Sequence, residues 1–276
     1  MKVLLLAGLY HKGELRREAK LKPFTGEMEQ HISQILSLPV ATPVKVSKLL
    51  CCFVESVSSV PMTNELAEQL CVADRQLLVL RLAQLLEGDQ VWLHPDCGQC
   101  NEPFDLGYQR SQLPVSAVSE QVLIKSFEQG IEVDLGDLSL KFRPPNGSDQ
   151  IAISSLNNDS ALSCLIERLS LNKDLKETSV LASLTVEQVN TIAEALDAVT
   201  PQLAGELKTQ CPNCELEQTV LLDPYHMQGL SEEYLMQDIH YLAIHYHWSE
   251  ADIMCLPRQR RRQYIQLISE SGGYHE

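Results

Sequence analysis

Cys97-Gly98-Gln99-Cys100 and Cys211-Pro212-Asn213-Cys214 are two C-x-x-C turns separated by a domain-sized stretch of chain. Each turn holds two thiolates facing one point, and four such thiolates complete the tetrahedral shell that Zn²⁺ prefers. Each is flanked by a strand-like run, Val91-Trp92-Leu93-His94 before the first and Leu216 to Leu222 after the second. That is the plan of a zinc ribbon whose spacer has grown into an insertion. A closed four-thiolate shell has no open position for water or substrate, so Zn²⁺ here fastens and does not catalyse. The alternatives are four unliganded cysteines or a thioredoxin-like redox pair; neither turn opens a helix in a βαβ unit, which counts against the latter.

Outward from the knuckles, the pattern predicts an α+β chain, mostly helical with β-hairpins, in which the zinc-ribbon-like four-cysteine site is interrupted by an inserted α+β subdomain. Residues 1–90 form a β-hairpin followed by helices. Residues 91–110 and 205–222 form the split ribbon, 111–204 the insertion, and 223–276 a helical tail. A hairpin opens the chain around Gly13, and Thr25 caps the first helix, with acidic residues in its first turn. Pro39, Pro43 and Pro61 break up the next region, leaving a helix from Ser47 to Ser56. Asp74 opens a helix over 75–87, apolar almost all round, that stops at Gly88. Pro103 to Leu106 reads as the ribbon's return strand. Residues 131–135 and 138–142 alternate with period two around Gly136-Asp137, a second hairpin. Pro144-Pro145-Asn146-Gly147 reads as a loop, Asn158-Asp159 caps a helix to Ser170, and Thr185 with Gln188 makes a capping box for a helix to Ala198. In the tail Ser231 and Ser249 are caps, and Pro257 begins a helix ending near Gly272-Gly273.

The chain has 276 residues and a formal net charge of −15, which argues against a general nucleic-acid binder, since such a chain usually carries a basic face. No apolar run reaches the ~18 residues needed to span a bilayer. The apolar Val3 to Leu9 run is too short for a signal core and is followed by no small-residue cleavage site, which predicts a cytoplasmic protein. Nine cysteines, an odd number, point to a reducing compartment. Cys51, Cys52, Cys71, Cys164 and Cys255 lie among apolar neighbours and are expected to be small buried hydrophobes. His240, His245 and His247 are badly spaced to share a metal on a helix. No Ser/His/Asp set, phosphate loop, H-E-x-x-H or paired-carboxylate motif appears at a usable spacing.

Arg258, Arg260, Arg261 and Arg262 crowd the first turns of a helix, the end where the macrodipole disfavours cations. Two readings stay open: an internal match with the chain's own acidic residues, or a docking patch for an acidic protein surface.

At this tail a resemblance becomes specific. Asp238 to Ala243, Tyr246-His247-Trp248-Ser249-Glu250-Ala251-Asp252-Ile253, and Leu256-Pro257-Arg258 with the following arginines, Tyr264 and Ile265 resemble the closing signature of the T-even-phage-like baseplate hub assembly chaperones, a family found also in phage-derived contractile injection systems. The Leu-Lys-Pro-Phe-Thr-Gly-Glu phrase from Leu21 to Glu27, the helix beginning Asp74-Arg75 and the two knuckles follow the same order of parts. The resemblance is strongest over 74–110 and 205–268. It implies a non-enzymatic chaperone for the hub or spike of a contractile tail, with baseplate hub or other tail proteins as partners. A permanent baseplate component and a cytosolic metallo-enzyme are the alternatives. The resemblance carries over the four cysteines and, as a partner contact, Trp248 with the four arginines. The knuckles depart from the common Cys-Pro-x-Cys-Gly pattern: Gly98 replaces the proline of the first, and Asn101 and Glu215 replace the two glycines.

Overall fold

The computed structural model describes residues 1–136, 138–172, 184–225, 227 and 232–272. Among them are eleven α-helices and twelve strands, a mixed α+β arrangement with helices in the majority. The expected cap Ser231, the turn residue Asp137 and the end at Gly273 lie outside the described residues.

Strands β1 (Lys2–His11) and β2 (Glu14–Leu21) pair across Lys12 and Gly13, at φ 52° and 82°. Two positive φ values in a two-residue loop match the right-handed twist of the strands it joins. The register shifts between Leu4 and Leu9, and the ladder opens there. Side chains take up the freed backbone groups: Leu6, Ala7 and Gly8 donate their N–H groups to the Asp74 carboxylate, at 2.5, 3.2 and 2.7 Å, while Arg17 donates to the Leu5 and Leu6 carbonyls. A bulge in β1 is thus satisfied from both sides.

The hairpin extends through β3 (Val54–Val57) and β4 (Val60–Pro61) into a sheet of order β1-β2-β3-β4. Helices α1 (Gly26–Ser37), α2 (Thr42–Phe53), α3 (Asn64–Gln69) and α4 (Val72–Glu87) cover it. Leu5, Leu21, Ile32, Leu50, Phe53, Leu78 and Leu82 meet in its core. Two expectations are corrected here. Helix α2 starts at Thr42, five residues before the expected Ser47, because Pro43 sits in the first turn, where its missing N–H costs nothing. It ends at Phe53, and Val54 begins a strand. Helix α4 is capped by the Cys71 sulfur and begins at Val72, so Asp74 does not open it; that side chain is spent on the β1 bulge.

Gly88, at φ 92°, ends α4 and delivers the chain to β5 (Gln90–Leu93), which pairs with β6 (Leu106–Gln109) around the first knuckle. The return strand therefore starts at Leu106, and Pro103 makes only an isolated bridge to Asp96. The insertion runs through β7 (Val115–Ser116), α5 (Glu120–Gln129), β8 (Ile131–Asp134), β9 (Ser139–Phe142), α6 (Gly147–Ile153), α7 (Asn158–Leu169), α8 (Val186–Val199) and β10 (Gln202–Leu203). The β8–β9 hairpin and the Thr185–Gln188 capping box form as the pattern predicts. The stretch read as a loop conceals the start of a helix: Asn146 caps α6 in a full capping box with Asp149. Phe142, Leu140, Ile166, Leu169 and Ile192 make a core for this region.

Strands β11 (Glu206–Gln210) and β12 (Glu217–Leu221) flank the second knuckle. Helices α9 (Glu232–Tyr246), α10 (Glu250–Cys255) and α11 (Arg258–Gly272) then pack around Leu235, Ile239, Leu242, Ile253 and Met254. Met254 lies so close to Gly26 that a Cβ there would stand 3.1 Å from its Cα. The absent side chain lets the tail settle on α1.

Candidate functional site

The two knuckles are the same turn made twice. Asn101 donates its N–H to the Cys97 carbonyl at 3.0 Å, and Glu215 to the Cys211 carbonyl at 2.9 Å. Cys97 N–H reaches the Glu102 carbonyl at 3.1 Å, and Cys211 N–H the Leu216 carbonyl at 2.9 Å. Asn101 and Glu215 take φ 57° and 60°, the left-handed conformation that glycine adopts without strain. The turn geometry is therefore kept without the usual glycines. Gln218 of β12 ties the two turns together: its Oε1 accepts from Gly98 N–H at 3.0 Å.

The fold brings all four sulfurs within 4.8 Å of one another. The Cys97–Cys214 and Cys100–Cys211 sulfur separations are 3.5 and 3.8 Å. A tetrahedron with metal–sulfur bonds of ~2.3 Å has edges of ~3.8 Å, so the donor set has the size of a four-thiolate metal shell. None of the four is in a disulfide. Phe104, Leu106 and Leu216 pack around the group, with Cys97 and Cys211 buried. The Cys97 thiol is pushed down to about 6, because the Cys100 and Gln99 N–H groups point at its sulfur and stabilise the thiolate. The Glu102 N–H favours a thiolate at Cys100 too, but burial and the three neighbouring sulfurs outweigh it and push that thiol up to about 12. Cys97 is thus the more readily ionised of its turn, and a divalent cation at the centre of the four sulfurs would favour ionisation of all. Among the described residues they are the one group of three or more potential ligands that converges; His240, His245 and His247 are exposed and do not join them.

The arginines divide. Arg261 is 0% exposed, bonded to Glu29 of α1 and 3.9 Å from Asp238. Arg258 lies 3.8 Å from the same Glu29. For Arg261 the internal match holds, and it is corrected as a surface contact: it is sealed inside the joint between α1 and α11. Arg258 meets Glu29 on one side and keeps its Nη1 without a hydrogen-bond partner. Arg260 and Arg262 are exposed, and Arg260 lies 5.8 Å from the Tyr264 ring centroid. Trp248 is half-buried, stacked 4.7 Å from Tyr246 and edge-on to Tyr264 at 4.9 Å. It serves first as packing for the tail. Sequence reasoning also placed Cys255 in a core, and it is exposed; Cys71 is buried as expected.

A family model described as T4 bacteriophage base plate protein matches residues 11–226, most of the chain and both knuckles. The chain belongs to that baseplate family. No curated protein and no solved structure matches it. The matched residues end before α9, so the tail phrases from Asp238 to Ile265 lie beyond them. Among the described residues, no helix of this baseplate-family chain is long and apolar enough to cross a membrane.

Proposed function

We propose that the chain is a non-enzymatic assembly chaperone for the hub or spike of a contractile-tail baseplate, acting in the cytoplasm of the producing cell and stapled by a structural Zn²⁺. The observation that carries the baseplate assignment is the family match over residues 11–226. The spacing of the Cys97, Cys100, Cys211 and Cys214 sulfurs supports the staple, since four thiolates select a soft cation and leave it no open coordination position. The partition into 1–90, a split ribbon of 91–110 with 205–222, an insertion of 111–204 and a tail of 223–276 belongs to this reading. In it the metal joins the two ends of the insertion. Partner contact falls to Trp248, Arg258, Arg260 and Arg262, with Arg261 supporting them from within.

Deletion of the gene tests the role. A chaperone predicts few or unloaded particles, and mass spectrometry of purified particles finds none of this chain at structural stoichiometry. Stoichiometric presence replaces the chaperone by a permanent baseplate component. Normal particles in unchanged yield overturn both.

A further inference from the structure

Between the end of α4, strand β5 and the facing sides of α9 and α11 lies a cleft of about 630 Å³. Its walls carry two aromatic rings that the core does not use, Trp92 at 56% exposed and Tyr234 at 60%. Trp92 is held in place: it sits opposite Gly107 across the β5–β6 ladder, and a Cβ on Gly107 would stand 2.9 Å from the Trp92 ring. The glycine gives the indole a seat, and one face of the ring is left to solvent.

The charges of the cleft are unevenly spent. Glu87 and Arg110 bond to each other, and Asp238 stands against buried Arg261. Arg258 and Arg262 lie four residues apart on α11, hence on one face, and both line the cleft. Arg258 Nη1 is buried and has no hydrogen-bond partner, and among the described residues Arg262 has no ion-pair partner within 4.0 Å. A buried donor without an acceptor is costly, and a guanidinium matches a carboxylate best. Arg262 and the unbonded Nη1 of Arg258, whose Nε faces Glu29 at 3.8 Å, therefore stand beside two exposed rings, in a chain of net charge −15.

We propose that this cleft binds a segment of a protein partner in which an Asp or Glu side chain lies next to an aromatic one: the carboxylate bridges Arg258 and Arg262, and the ring packs against Trp92 and Tyr234. Aromatic and arginine anchors of this kind carry most of the binding energy of protein interfaces. The site rests on the docking reading above and gives that reading a defined address, shared between the tail and the ribbon.

The test uses the full chain with Trp248→Phe, which leaves Trp92 as the sole indole, and a short peptide alternating Asp and Phe. Quenching or a shift of Trp92 fluorescence reports binding, and anisotropy of a labelled peptide gives its affinity. Arg262→Ala and Trp92→Ala, both at exposed positions, are expected to weaken binding about tenfold each. Lys208→Ala, an exposed cation on β11 outside the cleft, is expected to leave it unchanged. Equal binding of the Asn-for-Asp peptide, equal loss in Lys208→Ala, or tighter binding of a single-stranded oligonucleotide overturns the proposal. Failure of the peptide while the chain still associates with tail proteins removes the cleft alone. Peptide binding by a chain that associates with no tail protein keeps the cleft and removes the baseplate partner.

Discussion

Glu215 carries a backbone strain that its C-x-x-C turn imposes. At φ 60° a Cβ crowds the following carbonyl, a penalty of about 1–2 kcal/mol for an L-residue. Asn101 occupies the matching place in the first knuckle, at φ 57°, and asparagine tolerates this region better. Glu215→Gly is therefore expected to stabilise the folded chain by about 1 kcal/mol, and Asn101→Gly by less, because glycine's larger unfolded-state entropy offsets part of each gain. Urea unfolding followed by circular dichroism measures the difference, and a Glu215→Gly chain less stable than wild type would contradict the strain. Glu29 is the opposite case, a residue whose value lies in distant contacts, to Arg261 and Arg258. It neutralises fully buried Arg261, so Glu29→Gln leaves a buried cation without its counter-charge, at a cost of about 3 kcal/mol. Glu27→Gln, on the exposed side of the same helical turn, is the control and is expected to stay within about 0.5 kcal/mol. Equal losses in the two variants would show that the joint needs no charge.

At the scale of elements, Asp149 joins three pieces of the insertion: it closes the capping box of α6, and it binds Arg143 after β9 and Arg168 near the end of α7, at 2.7 and 2.9 Å. Burial alone would raise its carboxyl, but the Arg143 and Asn146 hydrogen bonds and Arg168 win and hold it below the usual carboxylate range. A depressed folded value means that the unfolded chain takes up its proton first as pH falls. The stabilisation is complete above the unfolded range near pH ~4 and is lost as pH drops through the folded value. Melting temperatures across that acid range should fall more steeply for wild type than for Asp149→Asn; parallel curves would refute the linkage. These elements also show what was legible in advance. Local chemistry was readable wherever it acted locally: the Lys12-Gly13 turn, the Thr25 cap, the Thr185–Gln188 box and the period-two hairpin at 131–142 all form. Where one residue type serves two masters, the reading slipped. Asp74 has the composition of a cap and is used as an acceptor for β1; Pro43 breaks helices in their middle and starts one here; Pro144-Pro145 hid the cap at Asn146. Helix α5 was overlooked although Ser119 and Glu120 mark its start and Gly130 its end; at ten residues its apolar stripe is short.

The whole molecule is held by contacts between residues far apart in sequence, and these were the least legible. Nothing near Arg261 announces Glu29, and the phrase around Thr25-Gly26 gives no sign that Pro257 and Met254 close over it. Only the cysteines advertised their long-range partner, because thiolate pairs have one common use at that spacing, and the four sulfurs do converge. Their role in the assembled chain can be separated from that of the larger cores. The sheet of β1 to β4 with its helices buries a large apolar cluster of its own, whereas the β5–β6 and β11–β12 hairpins share two small ones: the sulfurs with Phe104, Leu106 and Leu216, and Tyr108 and Leu207 packed against Leu80, Leu113 and Leu203. Metal binding in such small ribbons contributes directly to folding. Purified chain is expected to contain equimolar zinc by elemental mass spectrometry. Chelation, or Cys211→Ser, should speed hydrogen exchange in the two ribbon hairpins while the β1–β2 amides keep their protection. Uniform deprotection would mean that the metal supports the global fold; unchanged protection everywhere would mean that the four thiols close the ribbon unaided and that the staple reading is wrong.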